Sequence, residues 1–399
     1  MGGPINPGAW RWAPEQLLAG VPLEDLVTRR SSGAKDGAYG SPVGTMVSMR
    51  DVDAPPEQEL LASARRGDSA AFERLVASYR GELYAHCYRM LGSVQDAEDA
   101  LQESLLGAWR GMAGFEGRSS LRAWLYRVST NACLRLIARR PRRLLSVDHG
   151  PPRRDAHDLG EPVAGPVWLE PWPDEVPASE PGDTDPAASY LRRESVELAF
   201  VAALQHLPGT QRAVLILREV LEFSAAEAAR ILDTTPASVN SALQRARKAV
   251  DQRVPRPAQQ AELDALGADG RRELVDAFVT AWERADVAAI LELLAEDARF
   301  TMPPLPAWFL GREDIGRFFT ERMFATPWRL VPIRANGQLA FACYQGDPDG
   351  DRFRLGAINV LSLRAGRIVE LAGFLDPGVH RHFGLPKEPP DGVDRRSER

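Results

Sequence analysis

The chain has 399 residues, of which 44% are hydrophobic, and its formal net charge is -6. This length predicts about two or three domains, and the negative balance excludes a uniformly basic protein, so any contact with DNA must come from local basic patches. The three cysteines, Cys87, Cys133 and Cys343, are far apart and odd in number, which predicts a reducing, cytoplasmic environment and no disulfide framework. The sequence contains no zinc-ligand spacing, membrane-length apolar run or signal segment, so we expect no metal, no cofactor and no membrane association.

Residues 1–56 are rich in glycine and proline and lack apolar periodicity, which predicts a disordered N-terminal extension. Met46 and Met49 stand just before the first helical pattern. The natural start therefore remains open between Met1, Met46 and Met49.

From residue 57 to about residue 143, apolar residues recur at three- and four-residue steps, which predicts a bundle of helices. Asp68 and Ser93 each follow a glycine and are predicted to cap the helices after them. The third helix has one apolar side, and its opposite side is predicted to expose the polar residues Asp96, Asp99, Gln102 and Glu103.

The segment 117–143 contains eight arginines and no acid, and the aromatic residues Phe115, Trp124 and Tyr126 lie in or beside it. Arginine neutralises phosphates and aromatic rings stack on unpaired bases, so this segment predicts a nucleic-acid surface next to the acidic helix. A basic helix that is merely solvated is the alternative. Trp124 falls on the apolar stripe of its helix, which favours packing over base contact.

Residues 144–189 hold nine prolines, ten acids and two arginines. This composition cannot bury enough apolar surface to fold alone and predicts a disordered, acidic linker. Trp168 and Trp172 interrupt it, and we expect them to dock elsewhere on the chain, because exposing two indoles to water is unfavourable. An exposed, locally collapsed turn is the alternative.

Residues 190–256 return to helical periodicity and contain the pattern of a helix-turn-helix. We predict a helix over 225–232, a turn at Asp233 and Thr234, and a second helix that starts with Pro236 behind a Thr235 cap. Such a helix can lay its polar first turns on base edges and its basic end on phosphates. A purely structural helical hairpin is the alternative.

Residues 265–386 change to an α+β pattern in which helices precede strands predicted at 329–334, 338–345, 353–363 and 368–375. Asn336-Gly337, Asp349-Gly350 and Ala365-Gly366 are predicted hairpin turns. Helices followed by curved strands predict a sheet folded around a pocket. The tail, residues 387–399, is charged and predicted to be loose.

Residues 57–143 and 190–253 resemble regions 2 and 4 of extracytoplasmic-function (ECF) sigma factors of the sigma-70 family. The resemblance rests on Leu101-Gln102-Glu103, the 115–131 segment, Leu207-Pro208 and residues 238–247. Residues 270–386 are similar to the SnoaL-like, nuclear transport factor-like domain. The implied fold is multidomain: two all-α sigma domains joined by a disordered linker, then an α+β cone-shaped SnoaL-like domain.

The resemblance implies a sigma factor without enzymatic activity that binds core RNA polymerase and directs promoter recognition and transcription initiation. Polymerase-binding residues would be Asp96, Asp99, Gln102 and Glu103. The melted -10 strand would contact Phe115, Arg118, Ser119, Ser120, Arg122, Arg127 and Asn131. The duplex -35 element would contact Ala237, Ser238, Asn240, Ser241, Gln244, Arg245, Arg247 and Lys248. The sequence leaves open whether an anti-sigma factor is a further partner.

The C-terminal domain is predicted to modulate activity by folding back on the sigma regions, with Trp168 and Trp172 at the contact and the Asn336-Gly337 turn nearby. One departure from the family pattern is Asp233, which stands where glycine is usual; aspartate visits left-handed conformations more readily than most residues. The start of the recognition helix is also poor in charge, which suggests that polymerase tethering supplies much of the affinity.

Two other function classes stay open. A ligand-sensing helix-turn-helix regulator acting without polymerase would leave the acidic helix without a purpose. The second class is a small-molecule cyclase or isomerase fused to a DNA-binding module, since SnoaL-like folds include enzymes that use Asp/His pairs. Asp297, Asp376, His380 and His382 are the candidates, but Asp376-Pro377 is equally typical of a turn, so no catalytic residue is predicted.

Overall fold

The computed structural model describes residues 57–165, 167–174, 196–254, 258–347 and 352–390. The predictions for residues 1–56, for the Asp349-Gly350 turn and for the end of the tail lie outside these ranges. The chain divides into two units between Leu75 and Val76. The described part of the first unit holds helix α1 (Glu57–Arg65) and the start of α2 (Ser69–Leu91), which the Asp68 carboxylate caps as predicted by accepting from two backbone N–H groups.

The second unit begins within α2 and continues with two further helices, α3 (Val94–Gly111) and α4 (Leu121–Ile137), which pack on each other. Serine side chains start both helices. Ser93 accepts from the N–H of Asp96, as predicted, and Ser120 accepts from the N–H of Ala123. These caps fix where α3 and α4 begin, and so fix which of their side chains face outward.

Over residues 196–254 the structure describes the helices α5 (Leu198–Gln205), α6 (Gly209–Leu215), α7 (Ala225–Ile231) and α8 (Pro236–Asp251). A π-helical turn over Ile216–Val220 extends α6. The predicted helix-turn-helix is present in α7 and α8: Asp233 adopts a left-handed conformation (φ 52°), and the Thr235 side chain accepts from the N–H of Ser238. The predicted bounds of the first helix and the predicted start of the second therefore agree with the structure to within one residue.

The C-terminal domain combines four helices with one sheet. The helices are α9 (Gln259–Glu283), α10 (Val287–Leu293), α11 (Gly311–Glu321) and α12 (Pro377–His382). The strands are β1 (Leu294–Thr301), β2 (Trp308–Leu310), β3 (Trp328–Ala335), β4 (Gln338–Gly346), β5 (Phe353–Arg364) and β6 (Arg367–Phe374), in the order β2-β1-β6-β5-β4-β3. Strand β1 runs parallel to β6, and the other pairs are antiparallel.

The four predicted strands are present as β3 to β6, and Asn336-Gly337 and Ala365-Gly366 are the hairpin turns between them. All four turn residues have positive φ, between 50° and 73°, as two-residue hairpins require. Strands β1 and β2 were not predicted. The β1 sequence, LAEDARFT, has no clean alternation and its register against β6 shifts, so the local pattern does not reveal it.

Aromatic side chains fill the space between the sheet and its helices. The rings of Phe278, Trp282 and Phe319 are fully buried and contact one another or Phe300 and Phe341 in tilted and edge-on pairs. These aromatic contacts stabilise the packing of the helices on the sheet.

The predicted fold class is confirmed: helical domains precede an α+β domain. The structure differs over the linker, because residues 144–165 and 167–174 follow a defined path along the C-terminal domain. Backbone hydrogen bonds tie Arg153 to Trp308 (2.7 Å) and Val163 to Pro304 (3.0 Å). Within the described ranges, none of the helices combines the length and the apolar composition that crossing a bilayer requires.

Candidate polymerase and nucleic-acid interfaces

The outer side of α3 carries an exposed acidic ridge. Three of the four predicted polymerase-binding residues, Asp99, Gln102 and Glu103, are exposed there, together with Glu98. Leu106, 56% exposed, extends the ridge by one turn as a large apolar side chain open to solvent. Glu103 makes an exposed ion pair with Arg135 of α4 (2.6 Å), a contact worth little in water. We call these exposed side chains, Glu98, Asp99, Gln102, Glu103 and Leu106, the α3 ridge.

The structure corrects the prediction for Asp96. Its side chain is 3% exposed and makes ion pairs with Arg140 and Arg143, which follow α4. Burial is tolerated because both carboxylate oxygens have cationic partners. Asp96 therefore anchors the start of α3 and lies outside the ridge.

Glu170 of the linker completes this buried charge cluster. One of its oxygens accepts from Arg143 (3.1 Å), and the other accepts from the Ser93 hydroxyl and the Val94 N–H, both at 2.9 Å. Burial lowers the pKa of Arg143, whereas Glu170 acts in the opposite direction. The linker thus places a carboxylate at the positive N-terminal end of α3. A cavity of about 280 Å³ lies beside the cluster, between Trp168, Pro304 and Phe374.

Most of the residues predicted to meet the -10 strand lie at the start and along one side of α4. Arg118, Ser120, Arg127 and Asn131 are exposed, and Ser119 is half-buried. Arg118 makes an exposed ion pair with the neighbouring Glu116 (2.9 Å). These side chains are free to turn toward a strand of DNA.

Phe115 departs from that prediction, because it is 6% exposed and its ring packs on Trp124 at 5.1 Å. Trp124 in turn lies against Gly111 at the end of α3. An aromatic side chain held between two helices shapes the loop and does not reach a base. Trp124 packs in the same contact, in line with its position on the apolar stripe.

Arg122 occupies a more crowded position on α4. Its guanidinium donates to Glu82 of α2 (Nη2–Oε2 3.1 Å, Nε–Oε2 3.2 Å). Its other neighbours are the rings of Tyr126 and of Phe223, at 5.1 and 4.8 Å from the guanidinium carbon. Burial acts to lower the pKa of Arg122, but Glu82 outweighs it and the net shift is upward.

Helix α8 presents the predicted -35 residues on one continuous face. All are exposed: Ala237, Ser238, Asn240, Ser241, Gln244, Arg245, Arg247 and Lys248. The opposite stripe, which includes Val239, Leu243 and Ala246, is buried against the other region 4 helices. Arg247 makes an ion pair with Glu219 (2.6 Å). The face is of the kind that a recognition helix lays in the major groove.

The linker passes close to the turn between α2 and α3. The Glu170 N–H donates to the Gly92 carbonyl (3.0 Å), and a Cβ added at Gly92 would approach Leu169 to 2.8 Å. Gly92 also has positive φ (68°). Glycine has no Cβ to meet Leu169 and adopts positive φ without strain, so Gly92 at this turn permits the linker to dock.

Trp172, 8% exposed, packs between α2 and the β3–β4 turn. Its ring lies 4.6 Å from Tyr84 and 4.8 Å from Tyr88. Its backbone N–H donates to the Asn336 side-chain oxygen, and its carbonyl accepts from the Asn336 N–H, both at 2.8 Å. Trp168 is equally buried and donates through Nε1 to Val163 (2.8 Å).

Asn336 is the point where four segments meet. Its fully buried amide nitrogen donates to the Tyr88 hydroxyl of α2 (2.9 Å) and to the Val196 carbonyl just before α5 (2.6 Å). The adjacent Gly337 N–H donates to Asp174 of the linker (2.9 Å). Region 2, the linker, the start of region 4 and the SnoaL-like domain are thereby joined at one turn.

Three of the candidate catalytic residues of the C-terminal domain are engaged in contacts within the fold. Asp297 is exposed and pairs with Arg364 (2.5 Å), and Asp376 caps α12 by accepting from the Gly378 N–H (2.7 Å). His380 is buried and bonded to the Phe374 carbonyl (2.8 Å), and burial lowers its pKa. Each of these contacts is a structural one.

Sequence reasoning missed Tyr88, Arg143, Glu170 and Phe223. Arg143 belonged to the arginine run and Glu170 to the tryptophan island, but their pairing spans 27 residues and leaves no periodic signal. Phe223, in the loop before the helix-turn-helix, also carried no periodic signal. The single available indication for Glu170 was its position between two tryptophans expected to dock.

A helical domain with an acidic ridge and a basic strand-binding helix, followed by a helix-turn-helix, defines a promoter-recognition subunit. Family comparison agrees: "Sigma-70 region 2" matches residues 75–143, "Sigma-70, region 4" matches 197–250, and "SnoaL-like domain" matches 275–371.

The chain belongs to the ECF RNA polymerase sigma factors. It is 42% identical over 328 residues to the ECF RNA polymerase sigma factor SigG of Mycobacterium tuberculosis, covering 82% of this chain and 86% of that relative. It is also 29% identical over 197 residues to the RNA polymerase sigma-H factor of Pseudomonas aeruginosa, covering 49% of this chain and 92% of that relative.

Among solved structures, the chain is similar to the extracytoplasmic function sigma factor SigJ of Mycobacterium tuberculosis. The TM-score is 0.52 at 23% sequence identity, over 79% of this chain and 99% of that one. At this identity the similarity supports the shared fold.

Proposed function

We propose that the chain binds core RNA polymerase through the α3 ridge, holds the melted -10 strand on α4 and reads the -35 element with α8. Promoter DNA and core polymerase are then its partners. The observation that carries this proposal is the α3 ridge, where Leu106, 56% exposed, stands among Asp99, Gln102 and Glu103. A large exposed apolar residue within a polar rim is typical of a protein interface. A regulator acting on DNA alone has no use for an acidic surface beside its DNA-binding helix.

The SnoaL-like domain has a regulatory role in this proposal. It holds the linker and both sigma regions at Asn336, and the linker in turn caps α3 through Glu170. Contacts of this kind bias the chain toward one arrangement, so their strength sets how readily polymerase and promoter engage. This role requires no catalysis by the domain, and Asp297, Asp376 and His380 are each engaged in contacts within the fold.

Run-off transcription with purified core polymerase on a promoter library tests both parts. The full chain should select a defined set of promoters. Trp172→Ala should change transcript yield without changing which promoters are used, because Trp172 contacts α2 and the Asn336 turn but no predicted DNA-binding residue. Trp328→Ala removes an equally buried tryptophan, which lies in the C-terminal domain and donates to the Met323 carbonyl, and is the matched control. Absence of promoter-specific transcripts would reject the proposal, and equal yields from wild type and Trp172→Ala would reject the regulatory part.

A further inference from the structure

The Arg122 side of α4 is covered by a residue from region 4. Phe223 lies between the π-helical turn and α7 and is 4% exposed. Its ring centre is 4.8 Å from the Arg122 guanidinium carbon and 5.3 Å from the Tyr126 ring, edge-on at 73°. Tyr126 is fully buried beneath it. We call these three side chains the Arg122 cluster.

The backbone around Phe223 is fixed on both sides. Glu222, just before it, is left-handed with φ 56°, a conformation that strains a residue with a side chain. The Phe223 N–H donates to the Leu217 carbonyl (2.9 Å), and the Arg218 guanidinium donates to the Phe223 carbonyl. The capping box of Ser224 and Glu227 follows directly. A strained residue held by bonds on either side indicates that the position of the Phe223 ring is maintained.

The ring covers the face of the Arg122 guanidinium that an unpaired base would need. Arginine binds the faces of single-stranded bases in proteins, and Tyr126 contacts the Phe223 ring edge-on as one wall of the same site. Glu82 acts as a positioning residue, because its two contacts with Nε and Nη2 of Arg122 fix the orientation of the guanidinium plane.

We propose that Arg122 and Tyr126 form a binding site for a base of the unpaired promoter strand, with Arg122 against the base face and Tyr126 at its edge, and that Phe223 is the internal occupant of that site in the resting chain. This rests on the proposed function, since it assigns Tyr126 to the strand-binding surface and gives region 4 the part of a competitor. Region 4 has to leave α4 before the base can enter.

The separation of the promoter elements requires the same movement. Elements at -10 and -35 lie roughly 25 base pairs apart, or about 85 Å of B-DNA at about 3.4 Å per pair. In this structure α4 and α7 are in direct contact, and α7 packs on α8. One straight duplex cannot supply both elements to helices this close, so the resting chain reads at most one of them.

The test measures fluorescence anisotropy of a labelled oligothymidylate strand with the full chain at low ionic strength. Phe223→Ala should raise affinity about tenfold, because a base no longer displaces the ring. Phe223→Ala combined with Tyr126→Leu should lose that gain. Glu222→Gly is the matched control and should bind as wild type does, since glycine adopts the same positive φ without moving Phe223.

Phe223→Leu guards against loss of folding in region 4, because leucine retains the apolar volume and lacks the π face. It should raise affinity about threefold, an intermediate value, since only the ring contribution is removed. Circular dichroism establishes that each variant is folded. Equal affinities for wild type, Phe223→Ala and Phe223→Leu would overturn the inference, as would a gain that survives Tyr126→Leu.

Run-off transcription by the wild-type chain separates this inference from the function on which it rests. Active transcription together with unchanged strand affinity in the Phe223 variants overturns the stacking site alone. Inactivity of the wild-type chain with core polymerase overturns the proposed function itself.

Discussion

Two helices of this chain carry most of the residues proposed to contact promoter DNA, and these residues differ in how exposed they are and in which other parts of the chain they contact. On α8 every proposed -35 residue is exposed, from Ala237 to Lys248. On α4, Arg122 is engaged by Glu82 and Phe223, and two of the arginines that follow the helix, Arg140 and Arg143, are paired with Asp96. The proposed -35 surface of α8 is open, whereas part of the proposed -10 surface of α4 is restrained by the rest of the chain.

The difference follows from how each helix is stabilised. Helix α8 depends on local features: the Thr235 cap, the Asp233 turn and the neighbouring region 4 helices. Helix α4 and its C-terminal extension depend on partners distant in sequence, among them Glu170 and Phe223. Control of initiation is therefore expected at the -10 step, where contacts must break, and the following changes test that view in order of expected size.

The buried charge cluster is expected to give the largest effect. Arg143→Met removes the cation that contacts Asp96 and Glu170, leaving those carboxylates short of a partner. Breaking a buried pair typically lowers the free energy of unfolding by about 3–5 kcal/mol. Urea unfolding followed by tryptophan fluorescence measures it. Arg118→Met, on an exposed pair, should change it by less than about 0.5 kcal/mol, and similar values for both variants would contradict the role of the cluster.

Asn336 ranks next. Asn336→Gly removes the amide that bonds Tyr88, Val196 and Trp172 but keeps the left-handed backbone, and should lower the free energy of unfolding by about 2–3 kcal/mol. Asn336→Ala adds roughly 1 kcal/mol more, because alanine is strained at φ 55°. Thermal unfolding separates the two variants. A glycine variant as stable as wild type would mean that the amide bonds contribute nothing net.

Arg245→Ala tests whether the exposed face of α8 reads the -35 element. If Arg245 reads a base, the variant should weaken use of the -35 element by about 1–3 kcal/mol and relax specificity at one position. Gel shifts with polymerase holoenzyme on promoters with native and scrambled -35 sequences measure this. Equal losses on both sequences would assign Arg245 to a phosphate instead.

The pH dependence of stability is gradual, and over the first unit below pH 6.5 it gives the smallest signal, about 1 kcal/mol. Burial lowers the pKa of His86 from 6.5 to about 3, so below pH 6.5 the unfolded chain gains a proton that the folded chain does not. Stability is therefore retained above pH 6.5 and falls with decreasing pH down to about 3, at about 1.4 kcal/mol per pH unit. His86→Gln, which can keep the bond to Thr130, should make this slope shallower in acid unfolding curves. An identical slope in the variant would show that His86 does not contribute.

Much of the fold could be predicted because its signals are local. The caps at Asp68, Ser93 and Thr235, the left-handed Asp233 and the Asn336-Gly337 hairpin each depend on a few adjacent residues. Strand β1 was not predictable in the same way, because its parallel pairing with β6 joins residues about seventy positions apart and its sequence does not alternate.

The candidate site was predictable only in part, for the same reason. The exposed residues of α8 follow from helical periodicity, but the burial of Asp96 depends on Arg140 and Arg143, more than forty residues later. The linker composition favours disorder, yet Trp172 and Glu170 find partners on α2, on the N-terminal end of α3 and at Asn336. Tertiary contacts override local composition at these points.

Binding of the purified full chain to core RNA polymerase, measured by sedimentation at low ionic strength, tests the central claim most directly. The account predicts a stoichiometric complex that is weakened by reversing the charge of the α3 ridge with Asp99→Lys. It should be unaffected by Glu313→Lys, an equally exposed acid of α11. A chain that fails to join core polymerase, or that joins it equally well after the Asp99 reversal, would contradict the account.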